Sequence, residues 1–471
     1  MRLIASALAG LMIVPLAASA NAQGSATSAR PGIVGDWHGS LSASGRSIPL
    51  VLHVSGSPER PKATFDSPSQ GAMGLPIAVA VPNGAAIRFT IAAAEASFTA
   101  TLSPDGQTLA GQWSQGSASL PLTMTRIGIA ALAPAARPQT PRPPFPYRSE
   151  EVAYDNPTGH AHLTGTLTLP SGPRPFPAVL LITGSGLQDR DEAVFGHKPF
   201  LLWADTLTRR GIAVLRVDDR QVGGSTGEVR TATTADFAGD VAAGVAFLRT
   251  RRDIDPHRIG LMGHSEGAII APMIAAQDRG IAFVVMLAGS GEPGEALMLE
   301  QKRLIESAMG LPPAAVNRSA QTMQRLYDAV KDAPDQASAD MSLHTAWQAI
   351  AAEQGQPAGD MPAQLRVVAS PWMRWFVRYD PRPVLAKVAC PVLAVGGTKD
   401  LQVAADSNLA GIKLALRGNP DATVVKLPGL NHLLQTADTG QVGEYSRIEE
   451  TIAPSVLQTV GDWIVSHTER R

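Results

Sequence analysis

A chain of 471 residues that is 44% hydrophobic and 17% charged is longer than one ordinary domain and has a globular composition, which excludes a fibrous or disordered protein. Its formal net charge of −1 gives no electrostatic reason to expect nucleic acid or an anionic membrane surface as a partner. A single cysteine, Cys390, excludes an intramolecular disulfide; opening the apolar run 390–395, it reads as a buried structural thiol.

In chain order, Met1 and Arg2 supply a positive start, residues 3–16 form an apolar run too short to span a bilayer, and Ala18-Ser19-Ala20-Asn21-Ala22 offers two small-x-small sites. This pattern reads as a secretory signal peptide over 1–22, cleaved after Ala20 or Ala22. The expectation is an exported protein, periplasmic or extracellular, with no integral membrane segment after cleavage. Residues 32–127 alternate apolar and polar residues in short runs, as in Ala86-Ile87-Arg88-Phe89-Thr90-Ile91, between turn signals Pro82-Asn83-Gly84 and Pro104-Asp105-Gly106. They predict a small all-β barrel or sandwich of about eight strands. His38 and His53 are isolated there, and Trp37 and Trp113 read as core, so the domain is expected to pack or position rather than catalyse; a carbohydrate-binding or lipocalin-like role is the other reading. The Ala/Pro-rich stretch 128–147 predicts a semi-rigid linker.

From 148 to 471 strands alternate with helices. A hairpin is expected across 152–154 and 161–169, continuous apolar strands at 178–182, 213–217, 258–263 and 282–287, and helices at 200–210 and 234–251. Such a pattern implies a mostly parallel sheet with helices on both faces and a site at the strands' carboxyl ends. The alternation then stops. Helices are expected at 295–309, 313–331 and 343–353, followed by the aromatic patch Ser370-Pro371-Trp372-Met373-Arg374-Trp375-Phe376-Val377, so that about 291–385 forms a helical cap. Strands resume at 391 and 422–427, and a terminal helix covers 452–466.

The chemistry centres on Gly263-His264-Ser265-Glu266-Gly267, a G-x-S-x-G pentapeptide between an apolar strand and an apolar helix. A serine at such a turn is held in strained backbone, and glycines two residues to either side let strand and helix approach. A serine hydroxyl needs a base, and the base an orienting carboxylate. Asp400, past one strand, and His432, past the next, complete the order Ser265, Asp400, His432 that this turn requires. The backbone N–H groups of Ser185, in the glycine-containing loop 183–192, and of Glu266 are the expected oxyanion donors. Asp189, Arg190 and Asp191 read as a structural ion-pair turn. Gly289-Ser290-Gly291-Glu292-Pro293-Gly294 fits G-x-G-x-x-G, but no following strand carries a ribose-binding acid. His160 and His162 share a strand face without a third ligand. No cofactor and no metal are therefore expected.

The segments Gly184-Ser185-Gly186 with Asp189-Arg190-Asp191, Asp218-Asp219-Arg220-Gln221-Val222-Gly223-Gly224-Ser225, Gly263 to Gly267, Ser370-Pro371-Trp372, Asp380-Pro381 and Gly397 to Val403 carry a resemblance. From about Arg148 onward the chain resembles the α/β-hydrolase superfamily, and closely the exported bacterial serine esterases related to the serine aminopeptidase group. Gly35-Asp36-Trp37-His38-Gly39 and Asp66-Ser67-Pro68-Ser69-Gln70 look like the domain found ahead of some of these esterases. The resemblance implies hydrolysis of small carboxylic esters through an acyl-enzyme, without a cofactor. Gln221 departs from the pattern, since relatives usually have glycine there. The alternatives are a serine aminopeptidase or proline iminopeptidase-like peptidase, in which a cap carboxylate such as Glu292, Glu295 or Glu300 holds a free amino terminus, and a degenerate hydrolase fold that only binds.

Overall fold

The computed structural model describes residues 33–43, 46–57, 60–67, 72–80, 86–91, 96–115, 118–126, 137–355 and 361–469. The predicted signal peptide, the turn at 82–84, the stretch 68–70 and the first part of the predicted linker, 128–136, lie outside the described residues. The chain divides into two compact units, with the break between Ala136 and Arg137.

The first unit is a closed barrel of eight strands: β1 (Gly35–Ala43), β2 (Arg46–Ser57), β3 (Arg60–Ser67), β4 (Ala72–Ala80), β5 (Ala86–Ile91), β6 (Ala96–Leu102), β7 (Thr108–Gln115) and β8 (Ala118–Arg126). Each strand pairs antiparallel with the next, and β8 returns to β1 with Trp37 opposite Arg126, which leaves no open edge. The period-two pattern decides which side chains fill it: Ile87, Phe89 and Ile91 alternate with exposed residues, and Phe89 stacks on Phe98 of β6. Trp37 and Trp113 are both buried in this core. At the turn after β6, Asp105 Oδ1 accepts the Gln107 N–H at 3.0 Å while Gly106 takes φ +70°.

The second unit carries an eight-stranded sheet. Its strands are β9 (Arg148–Asn156), β10 (Ala161–Leu169), β11 (Phe176–Ile182), β12 (Ala213–Val217), β13 (Ile254–His264), β14 (Ile281–Leu287), β15 (Val392–Gly397) and β16 (Ala422–Leu427), in the spatial order 16-15-14-13-11-12-10-9. β11 to β16 run parallel, whereas β9 and β10 form an antiparallel edge. The helices are α1 (Pro199–Thr208), α2 (Thr234–Thr250), α3 (Gly267–Ala275), α4 (Gly294–Ala308), α5 (Pro313–Val330), α6 (Gln336–Glu353), α7 (Pro371–Arg378), α8 (Arg382–Leu385), α9 (Ala405–Ala415), α10 (Val442–Tyr445) and α11 (Pro454–Glu469). Alternate residues of one strand serve opposite faces: Ala178, Leu180 and Ile182 join the core under α2, α3 and α9, while Val179 and Leu181 join the core with α1 and α11. Each fully buried leucine or valine of these faces contributes about 1.5–3 kcal/mol of transfer free energy. α4 to α8 are inserted between β14 and β15.

Three local expectations change. α6 begins at Gln336 rather than 343, because the Asp335 side chain accepts the Ser338 N–H at 2.7 Å and caps a turn whose apolar spacing is weak. His160 takes φ +47° in the turn ahead of β10 and so shares no strand face with His162, which pairs with Asp155. The predicted linker does not run to residue 147. From Arg137 the chain is tied into the second unit: the Arg137 guanidinium donates to the carbonyl oxygens of Phe195, Ser446 and Ile448, and Gln139 bonds the main chain at Thr451 and Ile452. Proline-rich composition hid these polar anchors.

Arg137→Ala therefore leaves three carbonyls without their cationic donor and is expected to lower stability by about 2 kcal/mol. Arg142→Ala, at an exposed position of the same segment, should change it by less than about 0.5 kcal/mol. Denaturant midpoints of the two full-length variants measure the difference, and equal midpoints would contradict the anchoring.

Candidate active site

Ser265 follows β13 directly and stands at φ +54°, a left-handed conformation that costs a residue with a Cβ on the order of 1–2 kcal/mol. The surroundings hold it there. Its N–H donates to the Leu287 carbonyl at 2.9 Å, and its own carbonyl accepts the Ala268 N–H at 3.0 Å, starting α3. A Cβ on Gly263 would overlap the Gly267 carbonyl, and one on Gly267 would overlap the carbonyl of Ile182. Both flanking glycines are thus required by close backbone approach, and Ser265 is lifted above the sheet at the carboxyl end of its central strand.

Asp400 and His432 reach each other from neighbouring loops. The β15 and β16 strands deliver them side by side, Lys399 N–H donating to the Leu430 carbonyl at 2.9 Å. Asp400 Oδ1 accepts the N–H groups of Gln402 and Val403, each at 2.8 Å, which leaves Oδ2 for His432 Nδ1, also at 2.8 Å. Both side chains are buried. The turn carrying His432 is stapled by Asn431, whose Oδ1 accepts the N–H groups of Leu433 and Gln435. The rings of His432 and His264, the residue before Ser265, lie 4.8 Å apart between centroids. All three predicted triad residues therefore follow parallel strands of one sheet, Asp400 and His432 after the neighbouring β15 and β16 and Ser265 after β13, with β14 between.

The loop after β11 passes beside the serine, since a Cβ on Gly184 would stand 3.3 Å from Ser265 Cβ. Gly184 donates its own N–H to Glu192 Oε1 at 2.7 Å, so the next N–H in the loop is that of Ser185, at an exposed position. Asp219 fixes the start and the middle of this loop. It accepts from Thr183 Oγ1 and from the Gln188 N–H, each at 2.9 Å, and its N–H donates back to the Gln188 carbonyl. Burial pushes the Asp219 carboxyl up to about 8, against the hydrogen bonds from Gln188 and Thr183 and with the negative charges of Glu266 and Glu192. Glu266, the second expected donor by its backbone, follows Ser265 directly. Its side chain is buried and accepts from Thr234 Oγ1 at 2.6 Å and from Trp372 Nε1 at 2.8 Å; burial raises its carboxyl above the ordinary range, and those two hydrogen bonds oppose the rise.

The polar residues around the site fall into structural ion pairs. Asp218 takes Arg190, Asp191 takes Arg216 and Lys198, and Arg220 takes Asp240. Gln221 stands at φ +65°, which accounts for glycine in the sequence pattern it departs from, and its Nε2 compensates by donating to the Gly227 carbonyl at 2.9 Å. The G-x-G-x-x-G stretch has a packing use: Gly291 meets the backbone of α9 at Asn408 and Ile412, and Asn408 Oδ1 accepts from Ser290 Oγ. Among the described residues, no group of three or more His, Cys, Asp and Glu side chains is arranged to hold a metal.

Three contacts escaped the sequence reading: Glu192 with His264, His264 with the His432 carbonyl, and Trp372 with Glu266. The first joins residues 72 apart and the last residues 106 apart, so no local spacing signals them. His264 is held protonated up to about 9. Burial opposes its charge, but Glu192, the His432 carbonyl and Asp400 outweigh that.

The chain is similar to several known proteins. Residues 159–419 match the family described as X-Pro dipeptidyl-peptidase (S15 family). Esterase EstD of Thermotoga maritima is 25% identical over 305 residues, covering 64% of this chain, and this chain spans 65% of that relative's length. Solved structures include Est1E of Butyrivibrio proteoclasticus with ferulic acid bound (17% identity, 68% of this chain and 100% of that one, TM-score 0.42). A Pyrococcus furiosus esterase is another (15% identity, 72% and 98%, TM-score 0.42).

One pH dependence follows from the buried groups. An unfolded chain releases the histidine proton near pH ~6.5, whereas folded His264 keeps it to about 9, so its contribution to stability is full below ~6.5 and lost as pH rises through about 9. Asp219 acts in the same direction, because a raised carboxyl makes the fold lose stability as pH rises from its unfolded value of 3.8 through about 8. The denaturant midpoint is expected to fall between pH 7 and 9.5, with a shallower fall in His264→Gln; a rising midpoint would contradict it.

With the family match extending over more than half of the chain, and a mostly parallel sheet presenting a strained serine at its carboxyl edge, the chain belongs to the X-Pro dipeptidyl-peptidase (S15) family of α/β hydrolases.

Proposed function

We propose that the protein is a serine hydrolase that cleaves carboxylic esters of small molecules. In this reading Ser265 Oγ attacks the ester carbonyl and His432 takes its proton and passes it to the leaving alcohol. Asp400 holds the imidazole with Nδ1–H toward itself, and water then frees the acid by the reverse proton path. The N–H groups of Ser185 and Glu266 receive the oxyanion. The observation that carries the reading is the Asp400–His432 hydrogen bond at 2.8 Å, with the His432 ring 4.8 Å from that of His264, the residue before a serine held at φ +54°.

The inserted helices act as the cap. Leu297 and Phe376 pack with Ile269 of α3 and with Val403 beside Asp400, with Trp372 and Trp375 against them, so the insertion supplies an apolar wall next to the serine and the acid. An uncharged acyl group suits that wall. A peptidase reading is favoured by the family's description and requires a free carboxylate for the substrate's amino terminus. Glu295 is engaged by Lys331 and Gln324, and Glu300 accepts from Ser407 at 2.6 Å. Glu295 already has the cation of Lys331 as its partner, which favours the ester. The name of the Thermotoga relative agrees with that choice. Export rests on the sequence of residues 1–22, and the barrel is assigned a positioning role.

Side-by-side assays on p-nitrophenyl esters of graded chain length and on X-Pro anilides test the substrate class. Ester turnover should exceed anilide turnover, and the reverse ranking would make the protein a peptidase. Ser265→Ala should lower kcat on the order of 10⁶-fold, and Asp400→Asn about 10⁴-fold. A Ser265→Ala protein keeping a tenth of wild-type turnover would move the nucleophile elsewhere.

A further inference from the structure

The mechanism above makes no use of His264, although it is buried next to Ser265 with its ring 4.8 Å from that of His432. Its Nδ1 lies 2.9 Å from Glu192 Oε1 and its Nε2 lies 3.0 Å from the main-chain oxygen of His432. Both partners are acceptors. Glu192 Oε1 also takes the Gly184 N–H at 2.7 Å, so this oxygen carries no proton to share. A neutral imidazole donates through one nitrogen and turns a lone pair toward whatever faces the other. Only the imidazolium satisfies both contacts.

The connections of this ion pair matter more than its strength. Gly184 precedes Ser185, whose N–H is assigned to the oxyanion; His264 precedes Ser265; and the accepted carbonyl belongs to His432 itself. One carboxylate and one cation thus tie together the main chain of the oxyanion loop, the nucleophile turn and the base turn. Glu192 is held in place for this by φ +51°, a second residue with a Cβ in left-handed backbone at the site. We propose that the Glu192–His264 ion pair is a positioning device that holds the oxyanion donor, the nucleophile and the base in register, and that turnover requires its proton. This rests on the triad reading.

The titratable groups that face the ring are Glu192 from the loop after β11, Asp400 from the loop after β15 and His432 from the loop after β16. Glu192 and Asp400 both favour the cation, which keeps its proton to about 9. When the proton leaves, one of the two acceptors faces a lone pair and its loop is released. Misplacing a reacting group by about 1 Å costs up to ~100-fold in rate.

The test measures kcat and KM on a soluble p-nitrophenyl ester from pH 6 to 10.5, per competent site counted from the nitrophenol burst, for the full-length wild type, His264→Gln, Glu192→Gln and Ser265→Ala. The wild type should lose activity with an alkaline limb near pH 9. In His264→Gln, kcat per competent site should fall ~10- to 100-fold with KM changed less than about threefold, and the limb should vanish. In Glu192→Gln the limb should move at least about one unit toward neutral pH, because the carboxylate that holds the proton is gone. A merely structural pair would lower the number of competent sites and leave the limb where it was. A wild-type profile flat to pH 10.5, an unchanged limb in His264→Gln, or an unmoved limb in Glu192→Gln overturns the proposal. If His264→Gln does not fold, the wild-type limb and its position in Glu192→Gln decide. An active Ser265→Ala would sink the triad reading instead, whereas an inactive one with an unmoved limb sinks only this inference.

Discussion

The left-handed conformation of Ser265 is the constraint on which the second unit is built. A serine does not adopt φ +54° without support, and that support comes from the close approach of β13, α3 and β11. Gly263 and Gly267 make the approach possible, and the apolar strands on either side make it favourable. Because the strands run parallel, the loops that follow them open at the same sheet edge. Asp400 and His432 reach one another there through the register of β15 and β16, with no long-range design beyond strand pairing. The cost of the strained turn, on the order of 1–2 kcal/mol, is small beside the burial of two cores on the sheet's faces.

Around this turn the polar groups form layers of decreasing contact with the proposed chemistry. Asp400 with His432 comes first. Glu192, His264 and Asp219 stand behind them and act on loops, and the arginine pairs of Arg190, Arg216 and Arg220 secure the loops' far ends. The insertion reaches this scheme through Trp372, which donates to the carboxyl group of the residue next to Ser265, and through the packing of Leu297 and Phe376 on Ile269 and Val403. Any movement of α7 is therefore felt at Glu266.

The parts of this arrangement legible in the sequence were those written in local periodicity. Continuous apolar runs marked β11 to β14, alternation marked β5, and the glycine spacing marked the turn that carries Ser265. Asp400 and His432 were found because each follows a strand directly, so chain order stood in for space. What escaped was written in contacts between distant residues or in side-chain caps. Arg137 lies in a proline-rich stretch whose composition speaks of a linker, while its guanidinium satisfies three carbonyls of the sheet unit. Glu192 was hidden beside Asp189, Arg190 and Asp191, of which Arg190 and Asp191 form structural ion pairs and Asp189 accepts backbone N–H groups. His264 occupied a variable place in its own motif, and only the fold shows that both its nitrogens face acceptors. Gln221 was seen as a departure, but the reason glycine is usual there is a backbone angle.

The central claim is that Ser265 is made reactive by the Asp400–His432 pair across two strand ends. Treatment with a fluorophosphonate, followed by intact-mass measurement and peptide mapping, tests this most directly. The account predicts one adduct per chain, on Ser265, formed rapidly in the wild type and far more slowly in His432→Ala. An adduct on any other residue, or labelling of Ser265 at an unchanged rate without His432, would contradict it.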